Sequence, residues 1–186
     1  FDDDAFQASG VPFYVTCTNV ETGKAEYILC ESLRPEKNME FLRAGASMPL
    51  VSHIVEVEGR KLLDGGVADS IPLGAFRRMG YRKNIVVLTR AAGYRKKPAA
   101  MLPFQLMYHN YPRFVEAMAH RHEVYNAELA AVEQGVADGD VFVLRPSVDL
   151  EVSRTEHSIK KLRDLYELGR ADTLSRLGEL RRFCAK

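Results

Sequence analysis

Apolar positions along this chain recur with two different periods. In Val11–Val20 (VPFYVTCTNV) and Ala25–Cys30 (AEYILC), β-branched and aromatic residues gather in short runs that fit strands. Glu21-Thr22-Gly23-Lys24 between them carries turn residues, so the two runs predict a hairpin. Helix formers then fill Pro35 to Arg43 and stop near Gly45. Two shorter runs, Ile54–Val57 and Lys61–Leu63, flank Glu58-Gly59 and predict a second hairpin that delivers Asp64. Pro72 suits the first turn of a following helix, with Asp69 or Ser70 as its cap and Gly80 just past its end.

Asn84–Thr89 is a continuous apolar run, the pattern of a strand covered on both faces. Strand, helix and strand in that order predict a crossover unit and an α/β sheet. Ala91–Pro98 is a basic, glycine- and proline-punctuated loop. From Leu102 to Glu133 the spacing turns helical, with Phe114, Met118, Tyr125, Leu129 and Val132 in step. Val141–Leu144 predicts a last strand. Ile159, Leu162, Tyr166, Gly169, Thr173, Leu177 and Leu180 mark one face of a closing amphipathic helix. No repeat or low-complexity tract interrupts the chain, so one domain over residues 1–186 is expected, with a helical C-terminal extension from about residue 100.

Composition narrows the class. Among 186 residues, 46% are hydrophobic and 27% charged, the balance of an ordinary foldable soluble chain. A net charge of +1 makes no electrostatic case for nucleic acid. No apolar run reaches the roughly 18 residues that span a bilayer, and no secretory leader opens the chain. Cys17, Cys30 and Cys184 are odd in number and lack metal-ligand spacing, which suits reduced thiols in the cytoplasm.

Chemistry concentrates in KLLDGGVADSIPL, Lys61 to Leu73. A carboxylate at a strand end beside Gly65 and Gly66 can be held rigidly while other groups approach closely, since glycine adds no side chain and tolerates positive φ. Asp64 is therefore a candidate general base. It is equally a turn aspartate able to cap the helix near Pro72.

Ala46-Ser47-Met48-Pro49-Leu50, a short hairpin, and then Leu63-Asp64-Gly65-Gly66 through Pro72 together resemble the later half of a bacterial patatin-like phospholipase. Thr18–Lys24, Val86–Arg90 and Arg121–Asn126 (RHEVYN) resemble one bacterial subgroup of that family, so the likeness runs over nearly the whole chain. The resemblance implies a three-layer α/β fold, a mixed sheet with helices on both faces. It also implies a serine acyl hydrolase acting on lipid or other acyl esters through a Ser-Asp dyad, without metal or organic cofactor. Asp64 matches the dyad aspartate, with Gly65, Gly66 and Pro72 shaping its loop.

The family's other half is not here. No G-x-S-x-G and no glycine-rich oxyanion loop occur, and Gly45-Ala46-Ser47-Met48-Pro49 has proline where the last glycine should stand. Ser47 also follows a helical stretch instead of a strand, so it is expected to pack beneath the site and not to act as nucleophile. Both missing motifs come first in the family, and Phe1 opens without an initiator methionine. The chain is accordingly expected to be a C-terminal portion lacking the first strands of its sheet, with an exposed edge able to self-associate. A non-catalytic patatin-like module that binds a lipid or protein partner is the alternative.

Remaining candidates weigh less. His120 and His122 lie two apart on a predicted helix, hence on different faces, and His53, His109 and His157 stand alone. Asp64 with Asp69 lacks further acidic ligands for a cation. Asp2-Asp3-Asp4 reads as a solvated end. Tyr94-Arg95-Lys96-Lys97 followed by Met101-Leu102-Pro103-Phe104 pairs cations with apolar groups, as a lipid-facing rim would, or forms a solvated loop leading into a buried helix.

Overall fold

A computed structural model describes residues 1–34, 36–149, 152–153 and 156–185. The chain divides into two compact units: Phe1–Pro72 with Lys96–Glu128, and Leu73–Arg95 with Leu129–Lys186. The fold class is mixed α/β, with one antiparallel and one parallel sheet among the described residues.

The first unit is built on four strands: β1 (Phe13–Asn19), β2 (Ala25–Cys30), β3 (Val55–Val57) and β4 (Arg60–Asp64). They pair antiparallel in the order β2-β1-β4-β3, so both predicted hairpins form and β1 joins them. Strand β4 is interior and covered on both faces. Alternation sends Leu62 into a cluster with Val15, Cys17, Phe41, Ala44 and Val55, while Leu63 enters another with Val20, Val67, Tyr108, Phe114 and Met118. Helix α2 (Glu36–Gly45) supplies Phe41 and Ala44 to the first cluster. The predicted start of that helix at Pro35 lies outside the described residues.

Of Asp2-Asp3-Asp4, Asp2 and Asp4 are exposed, as expected of a solvated end, and Asp3 is not. Asp3–Ser9 forms a short helix, α1, whose N-cap is Asp2; its Oδ1 accepts the Ala5 N–H at 3.0 Å. Asp3 is buried and accepts from the Leu33 N–H at 2.7 Å and the Ser32 hydroxyl at 2.8 Å, which ties α1 to the end of β2. Asp3 reads as solvent-facing in the sequence because its Leu33 partner lies 30 residues away.

The helix predicted over 102–133 is two helices, α4 (Leu102–Met107) and α5 (Pro112–Asp138). Pro112 cannot donate to a preceding turn, so it opens a new helix instead of continuing one. Phe114, Met118, Tyr125, Leu129 and Val132 are all buried, as their spacing requires.

In the second unit, α3 (Leu73–Arg78) precedes β5 (Asn84–Val87), which pairs parallel with β6 (Val141–Leu144). β4 and β5 belong to different sheets, so the crossover joins β5 to β6, not β4 to β5. Ile85 and Val87 are 48% and 71% exposed, so β5 is not covered on both faces. The closing helix is also two, α6 (Ile159–Ser175) and α7 (Leu177–Ala185), and its predicted apolar face leaves Ile159, Leu162 and Tyr166 exposed.

Candidate functional site

Asp64 is the last residue of β4, opposite Cys17 in the β1 register. Its N–H donates to the Ser47 carbonyl at 2.9 Å, and its own carbonyl accepts from the Thr18 hydroxyl at 2.8 Å. Of the two carboxylate oxygens, Oδ1 accepts the Gly66 N–H at 2.7 Å. Oδ2 has no partner among the described residues. The group is thus oriented through three anchors and keeps one acceptor open.

The two glycines serve by what they lack. A Cβ on Gly65 would stand 2.3 Å from the Thr16 carbonyl oxygen, so the loop lies against β1 as closely as backbone permits. A Cβ on Gly66 would stand 2.9 Å from Asp64 Oδ1 and would push the carboxylate from its anchor. Neither has positive φ, so the reason is space and not handedness. Gly65–Val67 is a single 3-10 turn, and the capping partner of Asp64 is that turn, not the helix after Pro72.

Residues 68–71 bind the turn from the other side. The Asp69 N–H donates to the Gly65 carbonyl at 3.0 Å, and the Ser70 hydroxyl donates to the Gly66 carbonyl at 2.7 Å. Of the two residues expected to cap α3, Asp69 has its carboxylate on the Tyr27 hydroxyl and Ser70 its hydroxyl on the Gly66 carbonyl. Pro72 stands one residue before α3.

Two side chains of α5 complete the cradle. Arg121 Nε donates to the Gly66 carbonyl at 2.5 Å. The Glu128 carboxylate accepts the Ser70 N–H at 3.2 Å and the Ile71 N–H at 3.0 Å. Spaced seven apart on either side of buried Tyr125, they share one helix face. Burial, then the nearby Asp69 carboxylate, pushes the Glu128 carboxyl up to about 8, against the pull of its two N–H bonds. Sequence reasoning passed over Glu128 and valued Arg121 only for its resemblance. The available signal was a pair of polar residues beside an otherwise apolar helical stripe.

Ser47 is buried, and its hydroxyl donates to the Arg43 carbonyl at 2.7 Å, so the side chain is turned into the end of α2. Its carbonyl, not its hydroxyl, meets Asp64. His120 and His122 contact Glu123 and helix carbonyls, and His109 contacts the Leu106 carbonyl. Among the described residues no group of three or more His, Cys, Asp or Glu could hold a metal ion, and no helix is long and apolar enough to cross a membrane. Cys17 and Cys30 are buried and unpaired, and burial pushes the Cys17 thiol up to about 12. In the basic loop, Arg95 reaches Glu133 at 3.5 Å and Lys96 Nζ lies 4.3 Å from the Tyr125 ring centre, so these cations turn toward the protein. Leu102, Leu106 and Met107 of α4 remain exposed.

Residues 111–185 match a family described as a domain of unknown function (DUF6363). That stretch contains Arg121 and Glu128 but not the Asp64 turn. No curated protein matches the chain.

Proposed function

We propose that Asp64 is the general base of a Ser-Asp acyl hydrolase with a three-layer patatin-like fold, acting on lipid or other carboxylic esters. The observation that carries this reading is the half-anchored carboxylate, with Oδ1 fixed on the Gly66 N–H and Oδ2 without a partner among the described residues. In that role Oδ2 accepts the proton of a serine hydroxyl as the serine attacks the ester carbonyl. Ser47 and Ser70 have committed their hydroxyls to backbone carbonyls, so in this reading neither is the nucleophile, and no G-x-S-x-G occurs among the 186 residues to supply one. The reading calls for no metal and no organic cofactor. Exposed Leu102, Leu106 and Met107 support peripheral contact of a cytoplasmic protein with a lipid surface. Among the described residues β5 and β6 pair only with each other, which supports self-association.

A second reading draws on the same 2.7 Å bond: Asp64 caps the 3-10 turn and the domain only binds its partner. The polypeptide carrying both halves decides between them through Asp64→Asn, with kcat and unfolding midpoint measured on one sample. The base reading expects turnover to collapse and stability to hold; near wild-type turnover ends it. The 186-residue chain alone is expected to hydrolyse no p-nitrophenyl ester, and stoichiometric fluorophosphonate labelling of Ser47 would overturn the assignment of the nucleophile.

A further inference from the structure

The second unit contains a cavity of about 440 Å³ that the hydrolase reading does not use. Its floor is the carboxyl end of the parallel pair, Val87–Thr89 and Leu144–Pro146, and its wall is one face of α6, including Leu165, Tyr166 and Gly169. Carboxyl ends of parallel strands are where open α/β sheets take ligands, and the volume lies in the range of small-molecule sites. The lining is mainly apolar, yet three arginines contribute to it, Arg145, Arg170 and Arg176. Arg176 is committed to the Val143 carbonyl, to Glu179 and to the Phe142 ring. Asp172, the lining carboxylate, accepts the Ser147 N–H at 2.8 Å. Arg145 and Arg170 have no hydrogen-bond or ion-pair partner among the described residues, and Arg145 is half-buried. A half-buried guanidinium beside an apolar pocket calls for a planar anion that brings its own apolar body.

We propose that this pocket binds a single-chain carboxylic acid, its acyl chain along Leu88, Leu144, Leu165 and Tyr166 and its carboxylate on Arg145, with Arg170 at the rim. The inference stands apart from the Asp64 assignment, because it concerns binding and none of its residues belong to the Asp64 turn.

Three ligands with one tail and different heads test it: decanoate, 1-decanol and decyltrimethylammonium, titrated calorimetrically into the purified chain below their aggregation limits. Decanoate should saturate one site per chain. Decanol should bind about tenfold more weakly or worse, and the cation more weakly still. Arg145→Glu should lower decanoate affinity by about tenfold or more while leaving decanol unchanged. Arg145→Lys should retain part of it, since a point charge replaces the fork. Gly169→Phe, at a helical position whose Cβ meets nothing within 4 Å, should fill the cavity and abolish binding of decanoate and decanol alike. Arg170→Glu provides an independent charge reversal if Arg145→Glu loses its native circular dichroism. Equal affinity for acid and alcohol, absence of saturable binding, or indifference of folded Arg145→Glu and Gly169→Phe would each overturn the proposal.

Discussion

The turn at Asp64 and the cavity above β5 and β6 use the chain in opposite ways. At Asp64, backbone meets backbone: Gly65 lies on Thr16, and Thr18, Ser47 and Ser70 contribute carbonyl and hydroxyl bonds to the turn. Around the cavity, backbone bonds end with one parallel pair, apolar side chains stay exposed, and Gly169 faces open space. The first region holds one group rigidly and leaves one oxygen available. The second holds volume available and leaves Arg145 and Arg170 without a partner among the described residues. Rigidity suits proton transfer, where misplacement is costly, and openness suits binding a ligand of variable length.

Asp64→Asn is the largest expected perturbation. It keeps volume and the Gly66 contact but removes the proton acceptor, so under the proposed base role kcat of a polypeptide carrying both halves should fall by a factor of about 10² to 10⁴. Steady-state kinetics beside a melting curve separates this from the loss of a cap, which would cost about 1 kcal/mol with turnover intact.

Gly65→Ala comes next and attacks the frame itself. Its methyl group meets the Thr16 carbonyl, which is backbone of an interior strand and cannot yield as a side chain would. A loss of about 3 kcal/mol is expected in urea titration. Gly66→Ala meets the Asp64 carboxylate instead, a side chain that can turn away. It should cost about 1 kcal/mol of stability and, under the proposed base role, most of the activity. Equal stability losses for the two variants would break the distinction between frame and working group.

Much of the first region was legible in the sequence because its signals are local. Both hairpins, the strand delivering Asp64 and the glycine pair could be read from adjacent residues. Arg121, Glu128 and the partners of Asp3 could not, since each acts across tens of residues and looks like an ordinary surface charge in its own neighbourhood. The second region misled for a different reason. The Asn84–Thr89 run is as apolar as a doubly covered strand, and the face of α6 is as periodic as a buried helix, yet Val87 and Tyr166 are exposed. Apolar pattern states what a surface favours, and whether the described chain supplies a cover is a tertiary matter.

The pH dependence of the cradle sharpens the same comparison. Glu128 has a carboxyl raised in the folded protein above its unfolded value, so the native state binds the extra proton between the two. Stability from this group is therefore fully present below the unfolded value of 4.5 and lost as pH rises through about 8. Glu128→Gln should remove that slope. At pH 8 the variant should match or exceed the parent by about 1 kcal/mol, a modest figure because the residue is only part-buried. Thermal melts at pH 5 and pH 8 measure it. A parent more stable at pH 8 than at pH 5, with the variant flat, would show that the Ser70 and Ile71 N–H bonds outweigh burial and Asp69.

The smallest effect comes from repeating the Gly65 substitution where nothing crowds it. Gly169 lies inside α6 without positive φ, and its Cβ position has no neighbour within 4 Å. Alanine there adds no clash and removes the entropy that glycine loses on entering a helix, so Gly169→Ala should stabilise by about 0.5 to 1 kcal/mol. One methyl group should leave the cavity open and decanoate affinity unchanged, in contrast to the phenylalanine that fills it. The same chemical change then has opposite signs in the two regions, since at Gly65 the added carbon meets strand backbone and at Gly169 it meets solvent. Paired urea titrations of the two alanine variants read both signs in one experiment. Destabilisation by Gly169→Ala would mean that this face of α6 is packed against something, and with it the claim of an open cavity would fall.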